Sequence, residues 1–241
     1  MDRISFWLYK LYILTYVLYR YIIGNSWKLV QGIYMPLQFS IGFNTLRWIV
    51  NGQYEMGEYT IVSQKISKQD VVMEIGTGLG FISSYCSTIV GSNNVHTYEA
   101  NPLNIVKARE VFKKNNVSPN ITNALLANDN GATNFSINKK SRLASSVSIN
   151  INNENIHLQK LNINEIISKI KPSFLIMDIE GGEYDIFKII NFQSIKKVQF
   201  ELHPSILGED KCEEIFTLLA KSKFEKVIDL EDGRNFYFEK K

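Results

Sequence analysis

The sequence predicts an α/β protein: a mostly parallel, doubly wound sheet with an antiparallel C-terminal strand, preceded by an N-terminal helical extension. From residue 58 onward, short apolar, β-branched segments alternate with segments of helical length, as in sheets whose parallel strands are joined by crossover helices. The last two apolar segments are separated only by a turn at 231–234, which is typical of a hairpin and indicates one antiparallel strand. The first 50 residues have a different, aromatic and basic composition.

Each element is predicted from an apolar run and from the residues that end it. Glycines follow the first run of the sheet, and Pro102 stands where the first turn of a helix tolerates proline. We predict strands at 71–75, 95–98, 121–127, 157–161, 174–177, 198–202, 225–230 and 235–239. We predict helices at 4–23, 40–51, 79–90, 102–114, 163–170, 183–190 and 209–222. Residues 128–157 are rich in Asn, Ser and Lys and indicate a surface hairpin or insertion, with short pieces at 133–137 and 146–151.

Composition limits the class of protein. The chain has 241 residues, 45% hydrophobic and 21% charged, which is ordinary for a globular protein. A net charge of +3 is too small to indicate a nucleic-acid partner. Cys86 and Cys212 are the only cysteines, so no disulfide framework or zinc spacing can be built, and we expect a cytoplasmic protein. We divide the chain into the extension, residues 1–50, and one α/β domain, residues 51–241.

Residues 4–23 are almost wholly apolar or aromatic and would form a helix of roughly 30 Å. Lys10 and Arg20 interrupt this run, which disfavours a transmembrane span and a signal peptide. Two interpretations stay open. In the first, residues 1–23 make a peripheral contact at the inner face of a membrane, with aromatic rings at head-group depth and the cations facing anionic lipid. In the second, the helix packs on its own domain or on a partner subunit.

An acid and three glycines end the first strand of the sheet, where doubly wound sheets bind ligands. A dinucleotide loop has the spacing G-x-G-x-x-G, whereas this turn has G-x-G-x-G and a carboxylate two residues before its first glycine. That carboxylate would repel a pyrophosphate but suits an ammonium group, such as that of the methionine moiety of S-adenosylmethionine. The alternative is a tight turn without a ligand. The candidate cofactor-binding residues of this turn are Glu74, Gly76, Thr77, Gly78 and Gly80.

A second acid, Glu99, closes the next strand and is followed by Ala100 and Asn101. An acid at this position can hydrogen-bond both ribose hydroxyls of a nucleoside. A nicotinamide cofactor and a methyl donor would both fit this feature, and an acid before a helix can also be a capping residue. We include Glu99, Ala100 and Asn101 among the candidate cofactor-binding residues.

Five stretches of the chain resemble the FkbM family of S-adenosylmethionine-dependent methyltransferases. They are VVMEIGTGLG (71–80), YEANP (98–102), ALLANDNGATNF (124–135), FLIMDIEGGEYDIF (174–187) and VQFELHP (198–204). The resemblance implies a Rossmann-like class I methyltransferase fold and S-adenosylmethionine as cofactor. It also carries an adenine contact over to Asn128 and Asp129, at the end of the third strand. This chain has Glu74 where the family usually has Asp, and Leu79 where it usually has Asn.

Acidic residues gather where the chemistry of such an enzyme should occur. Strand alternation would put the carboxylates of Asp178 and Glu180 on one face, and Glu201 and His203 would share a face on the neighbouring strand. Glu183 and Asp185 fall in the first turn of the next helix, where the helix dipole alone favours acids. We therefore take Asp178, Glu180, Glu201 and His203 as candidate catalytic residues, with His203 as the candidate base. The same carboxylates could instead hold Mg²⁺, which prefers oxygen ligands.

These observations together favour a methyltransferase. The resemblance implies O-methylation of a hydroxyl on a glycan or natural-product acceptor. A nicotinamide-dependent oxidoreductase is the alternative enzyme, and Glu74 with the glycine spacing argues against it. A non-catalytic, membrane-associated adaptor that kept a nucleoside-binding fold is the alternative from another class, and the acidic cluster argues against that.

Overall fold

The computed structural model of the chain describes residues 3–137, 145–146, 154–227 and 234–241. The chain divides into two compact units, Met1–Met56 and Gly57–Lys241, whereas we placed the boundary after residue 50. All of the candidate cofactor and catalytic residues belong to the second unit.

The first unit combines helices with a small hairpin that we did not predict from the sequence. Its elements are α1 (Arg3–Ile22), β1 (Trp27–Val30), β2 (Ile33–Pro36), a 3₁₀ helix (Phe39–Ile41) and α2 (Phe43–Val50). Strands β1 and β2 pair antiparallel with Val30 opposite Ile33, so Gln31 and Gly32 form a two-residue turn. Their φ angles of 44° and 85° are both positive, as a type I′ turn requires.

The two interior cations of α1 are bonded within the first unit. The Arg20 guanidinium donates hydrogen bonds to the carbonyl oxygens of Trp27 (2.5 Å) and Asn25 (3.1 Å). The Lys10 ammonium lies 5.5 Å from the ring centroid of Phe43. Both cations therefore have partners within their own unit, and their contact with lipid stays a prediction. Among the described residues, no helix combines the length and the apolar character needed to cross a bilayer.

The second unit is an α/β domain. Its strands are β3 (Val72–Ile75), β4 (Val95–Glu99), β5 (Asn120–Asn123), β6 (Leu125–Ala127), β7 (Gly131–Ile137), β8 (Ser145–Ser146), β9 (Glu154–Asn162), β10 (Phe174–Met177), β11 (Lys197–Glu201), β12 (Phe224–Lys226) and β13 (Asn235–Lys240). Its helices are α3 (Met56–Lys65, beginning at the boundary), α4 (Phe81–Val90), α5 (Pro102–Lys114), α6 (Ile163–Ile170), α7 (Glu183–Ile189), α8 (Pro204–Leu207) and α9 (Glu209–Lys221), with a 3₁₀ helix at Ser92–Asn94.

Seven strands form the central sheet in the order β12-β13-β11-β10-β3-β4-β5. Strand β13 runs antiparallel to both of its neighbours, and the pairs from β11 to β5 are parallel. The chain builds the sheet outward from β3 through β4 to β5, then returns to the other side of β3 with β10 and β11. This is the class I methyltransferase arrangement that the sequence predicts, including its antiparallel C-terminal strand.

The predicted third strand, 121–127, is wrong as a single element. The chain leaves the central sheet after Asn123 and starts a second sheet at Leu125, in the order β6-β9-β7-β8. Strands β7 and β9 pair antiparallel over seven residues. Of the short pieces expected at 133–137 and 146–151, the described residues pair with each other only where β7 meets Ser145–Ser146. Residues 147–151 of the expected 146–151 strand lie outside the described residues, as do residues 228–230 of the strand expected at 225–230 and residues 231–233 of the turn.

Burial of β10 on both faces fixes the centre of the domain. All four of its residues, Phe174–Met177, are at most 2% exposed, as expected for a parallel strand covered by helices on both sides. At the amino-terminal edge of the sheet, the buried Asp70 carboxylate accepts hydrogen bonds from Ser67, Ser173 and Lys197. The opposite edge collects the carboxyl ends of β3, β4, β10 and β11, and there the candidate site lies.

Candidate active site

The turn after β3 depends on its glycines for geometry. Gly76, Gly78 and Gly80 have φ angles of 92°, 53° and 81°, which residues with a β-carbon rarely adopt. A β-carbon on Gly76 would also overlap the backbone carbonyl oxygen of Asp178. A β-carbon on Gly80 would lie 2.6 Å from the ring of Phe112. The glycines therefore pack the turn tightly against the segment after β10 and against α5.

The side chains of this turn face inward. The Glu74 carboxylate accepts hydrogen bonds from the hydroxyls of Ser83 (2.6 Å) and Thr97, and Thr77 also bonds Thr97. Glu74 is 3% exposed, and this burial raises its pKa to about 7. The carboxylate thus links β3, β4 and the first turn of α4. The ammonium contact we expect of Glu74, and a cofactor contact of Thr77, stay predictions.

Glu99 links the glycine turn to α5. One carboxylate oxygen accepts from the Gly78 amide at 3.0 Å, and the other accepts from the Asn101 amide at 2.7 Å. Burial raises the pKa of Glu99. The Asn104 side chain and the Ala100 amide also donate to this carboxylate, so its contact with a ribose stays a prediction. Asn101 is fully buried and caps α5 by accepting from the Leu103 amide, and Ala100 lies between them.

Asn128 and Asp129 lie apart from this turn in the topology. They follow β6 in the second sheet, so the expectation that they end the third strand of the central sheet is wrong. Both are exposed. The Asp129 carboxylate pairs with Lys160 at 2.7 Å, and the Asn128 carbonyl accepts from the Asn162 side chain at 2.8 Å. Their contact with adenine stays a prediction.

The four candidate catalytic residues come together at the ends of β10 and β11. His203 Nε2 lies 3.9 Å from an oxygen of Asp178 and 3.9 Å from an oxygen of Glu180. One ligand-type atom from each of Asp178, Glu201 and His203 lies within 4.8 Å of the other two. Strand alternation is not the reason for the pairing of Asp178 with Glu180, because β10 ends at Met177 and both acids belong to the following turn.

A fifth residue, Glu183, completes this cluster and was missed in the sequence. Its side chain is fully buried at the start of α7, and Oε1 accepts a hydrogen bond from His203 Nδ1 at 2.6 Å. The helix dipole, which favours acids at this position, accounts for an exposed acid but not for a buried one. The signal was its place in the D-x-E-G-x-E segment, close in space to a histidine that needs a partner for Nδ1.

These contacts change the proton affinities of the cluster. The hydrogen bond to Glu183 raises the pKa of His203 to about 9, against the opposing effect of burial. Desolvation, followed by the charge of Glu201, raises the pKa of Asp178 to about 7. The imidazole therefore favours its protonated form at neutral pH, and Asp178 holds a proton more readily than an ordinary aspartate. Its side chain remains 37% exposed, which leaves it accessible to a substrate.

Glu201 has a cation of its own. The Arg234 guanidinium lies 2.9 Å from Glu201 Oε1. The cluster thus holds four carboxylates with an imidazolium and a guanidinium. A magnesium ion is a poor match for this group, because Mg²⁺ prefers oxygen ligands and His203 presents a nitrogen.

The features of the edge fit the methionine-nucleoside cofactor implied by the sequence. The glycine turn lies where the sheet changes direction between β3 and β10, the position at which doubly wound sheets bind ligands. Positive φ angles there let a ligand approach the backbone closely, and Glu99 is bonded to the Gly78 amide of the same turn. The acidic cluster stands on the β10 side of the same turn.

Comparison with known proteins gives one family. Residues 70–236 match the methyltransferase FkbM domain. No curated protein matches the chain. Among solved structures, a ribosomal protein L11 methylase from Lactobacillus delbrueckii subsp. bulgaricus is 11% identical with a TM-score of 0.46, covering 83% of this chain and 81% of that one. A precorrin-6y C5,15-methyltransferase from Geobacter metallireducens GS-15 is 12% identical with a TM-score of 0.47, covering 78% and 90%.

Similarity to solved structures at this level carries no further argument, and the family match is the decisive finding. It spans more than half of the chain and includes the glycine turn, Glu99 and the whole acidic cluster. The chain belongs to the FkbM family of S-adenosylmethionine-dependent methyltransferases.

Proposed function

We propose that this protein methylates a hydroxyl oxygen of a glycan or natural-product acceptor. The observation that carries the proposal is Asp178, an accessible carboxylate with a pKa of about 7 beside the donor turn. A hydroxyl is a poor nucleophile until its proton is removed, and a base with a pKa near the working pH removes it best. An amine or thiolate acceptor would have less need of such a group.

Asp178, and not the sequence-predicted His203, is the base in this proposal. At neutral pH His203 already holds a proton, since its pKa is about 9, and so it cannot accept another. Its Nδ1–H is held by Glu183, and its Nε2 lies 3.9 Å from an oxygen of Asp178 and 3.9 Å from an oxygen of Glu180. His203 then acts as a fixed positive charge beside the base, and Glu183 is its positioning residue.

Glu180 supports an acceptor that carries several hydroxyls. Its side chain is 48% exposed at the rim of the cluster, and a carboxylate can accept from more than one hydroxyl at once. Such hydrogen bonds would orient the sugar-like group so that one hydroxyl meets Asp178. Orientation of this kind can supply up to about 7–11 kcal/mol of the barrier reduction.

The donor half of the site consists of the glycine turn and Glu99. Gly76, Gly78 and Gly80 would admit the cofactor to the backbone, and Glu99 would accept from its ribose hydroxyls. When bound, S-adenosylmethionine supplies an electrophilic methyl group on a sulfonium. The chain itself contributes no covalent step.

The test uses a labelled methyl donor and two panels of acceptors. One panel holds monosaccharides and glycosides with free hydroxyls, and the other holds amines and thiols of similar size. We expect label in a base-stable ether from the first panel, with transfer lost in Asp178→Asn. Transfer to amines or thiols that survives Asp178→Asn would overturn O-methylation. Melting shifts with S-adenosylhomocysteine and with NAD⁺ check the donor, and only the former should stabilise the protein.

A further inference from the structure

One face of α1 is exposed and almost entirely apolar. We define the outer face by eight residues spaced three and four apart, which brings them to one side of the helix: Trp7, Leu8, Leu11, Tyr12, Thr15, Leu18, Tyr19 and Ile22. The seven large side chains are between 50% (Leu18) and 74% (Ile22) exposed. On a globular protein, a contiguous exposed apolar surface of this kind marks an interaction site.

The charges that interrupt α1 in the sequence are absent from this face. Arg20 donates to Tyr16 Oη at 2.7 Å and to two carbonyl oxygens beyond the helix. Lys10 lies between the rings of Trp7 and Phe43, 5.1 and 5.5 Å from their centroids. The eight side chains of the outer face therefore include no ionised group.

Thr15 is the one polar residue of the outer face, and its hydroxyl is already satisfied. The hydroxyl donates within the helix, where the carbonyl oxygens of Leu11 (2.9 Å) and Tyr12 (3.0 Å) are both within reach of its one hydrogen. A hydroxyl bonded in this way loses little when it leaves water, because the cost of burial falls mainly on unpaired polar groups. Thr15 therefore does not oppose insertion of this face into the membrane interface.

We infer that the outer face of α1 lies in the interface of an anionic lipid bilayer, parallel to the membrane surface. Residues 1–56 include five Lys or Arg against two acids, Asp2 and Glu55, a net charge of +3, so this unit is attracted to anionic lipid, whereas a second copy would bring charge of the same sign. Trp7, Tyr12 and Tyr19 are of the amphipathic type that collects at head-group depth. The inference goes beyond methyl transfer and does not depend on it.

The structure changes the expected character of the contact. Since Lys10 and Arg20 are bonded within the protein, burial of apolar side chains should supply most of the attachment, with the remaining cations adding a smaller, salt-sensitive part. Binding of the full chain to phosphatidylcholine–phosphatidylglycerol vesicles (3:1) should therefore fall less than about tenfold between 0.1 and 0.5 M NaCl.

The test is co-sedimentation of the full chain with these vesicles. The variant Leu11→Glu/Leu18→Glu places two charges on the outer face and should lower binding at least tenfold at both salt concentrations. The control Asn93→Asp/Gln193→Glu makes the same change in net charge at exposed positions of the second unit and should bind within threefold of wild type. Far-UV circular dichroism confirms that each variant folds.

Several outcomes would overturn the inference. The first is recovery of the wild type in the supernatant at low salt. The second is an equal loss of vesicle binding in Leu11→Glu/Leu18→Glu and in its control. Binding that resists alkaline carbonate would mean insertion through the bilayer. A concentration-dependent dimer in light scattering that Leu11→Glu/Leu18→Glu abolishes, with no vesicle binding, would assign the face to self-association.

Discussion

Replacing Glu183 by Gln tests how the acidic cluster holds a proton on His203. The substitution keeps an oxygen that can accept from Nδ1 at the present 2.6 Å but removes the negative charge. The structure raises the pKa of His203 from an ordinary 6.5 to about 9, and the hydrogen bond to Glu183 is the largest cause. At about 1.4 kcal/mol for each tenfold change in proton affinity, the whole effect corresponds to about 3 kcal/mol.

We expect Glu183→Gln to lower the pKa of His203 to below 8, measured by NMR titration of its imidazole protons. Glu180→Gln is the matched control. Its carboxylate lies 3.9 Å from the other ring nitrogen and is 48% exposed, so water screens it, and the pKa should change far less. If His203 still titrates near 9 in Glu183→Gln, or if the control lowers the pKa as much, the role given to Glu183 is refuted.

The same shift has a consequence for stability. Because the folded-state pKa of His203 is raised, its contribution to stability is fully present below pH 6.5 and is lost as the pH rises through about 9. Wild type should therefore exceed Glu183→Gln in stability most at pH 6, and less at pH 10. Denaturant unfolding at the two pH values measures this change.

Three further predictions concern the glycine turn and the amino-terminal edge of the sheet. Burial raises the pKa of Glu74 to about 7, so the folded state loses stability as the pH rises from 4.5 through 7. Glu74→Gln should therefore melt at a higher temperature than wild type at pH 8 but not at pH 5. An equal difference at both pH values would contradict this. Gly76→Ala should lower the free energy of unfolding by at least about 2 kcal/mol more than Gly91→Ala does. Both glycines have positive φ angles, which costs alanine about 1–2 kcal/mol at each position, but only at Gly76 does a β-carbon meet backbone atoms. Equal losses in the two variants would refute the clash. Lys197→Met should cost about 3–5 kcal/mol of unfolding free energy by leaving the buried Asp70 without its cation, and a loss under about 1 kcal/mol would show the pair to be unimportant.

Local patterns were sufficient to predict the centre of the fold. The apolar runs at 174–177 and 198–202 are strands because β-branched and aromatic residues are buried there on both faces, and the glycines after Ile75 end the first strand where predicted. Pro102 and Asn101 fix the start of α5 by a missing amide hydrogen and a side-chain cap. These signals act over a few residues, which is why a single sequence reveals them.

Features that depend on distant partners could not be predicted. The predicted strand 121–127 is divided at Ala124 because Leu125–Ala127 pair with β9, which lies some thirty residues later in the chain. Glu183 became part of the site because its carboxylate meets His203, twenty residues away. Likewise, the direction of Arg20 is set by the carbonyl of Trp27 in a hairpin that carries no strong sequence signal. In each case a contact distant in sequence overrode a local preference.

A donor half at Glu99 and a proton-accepting half at Asp178 should be separable in one experiment. S-adenosylhomocysteine affinity by calorimetry and turnover on the best acceptor of the hydroxyl panel are measured for wild type, Asp178→Asn and Glu99→Ala. We predict that Asp178→Asn keeps its affinity within threefold while turnover falls by about 10²–10⁴, the usual contribution of a positioned base. Glu99→Ala should lose at least tenfold in affinity. Asp178→Asn that binds the cofactor product as weakly as Glu99→Ala, or that turns over at the wild-type rate, would contradict this division of the site.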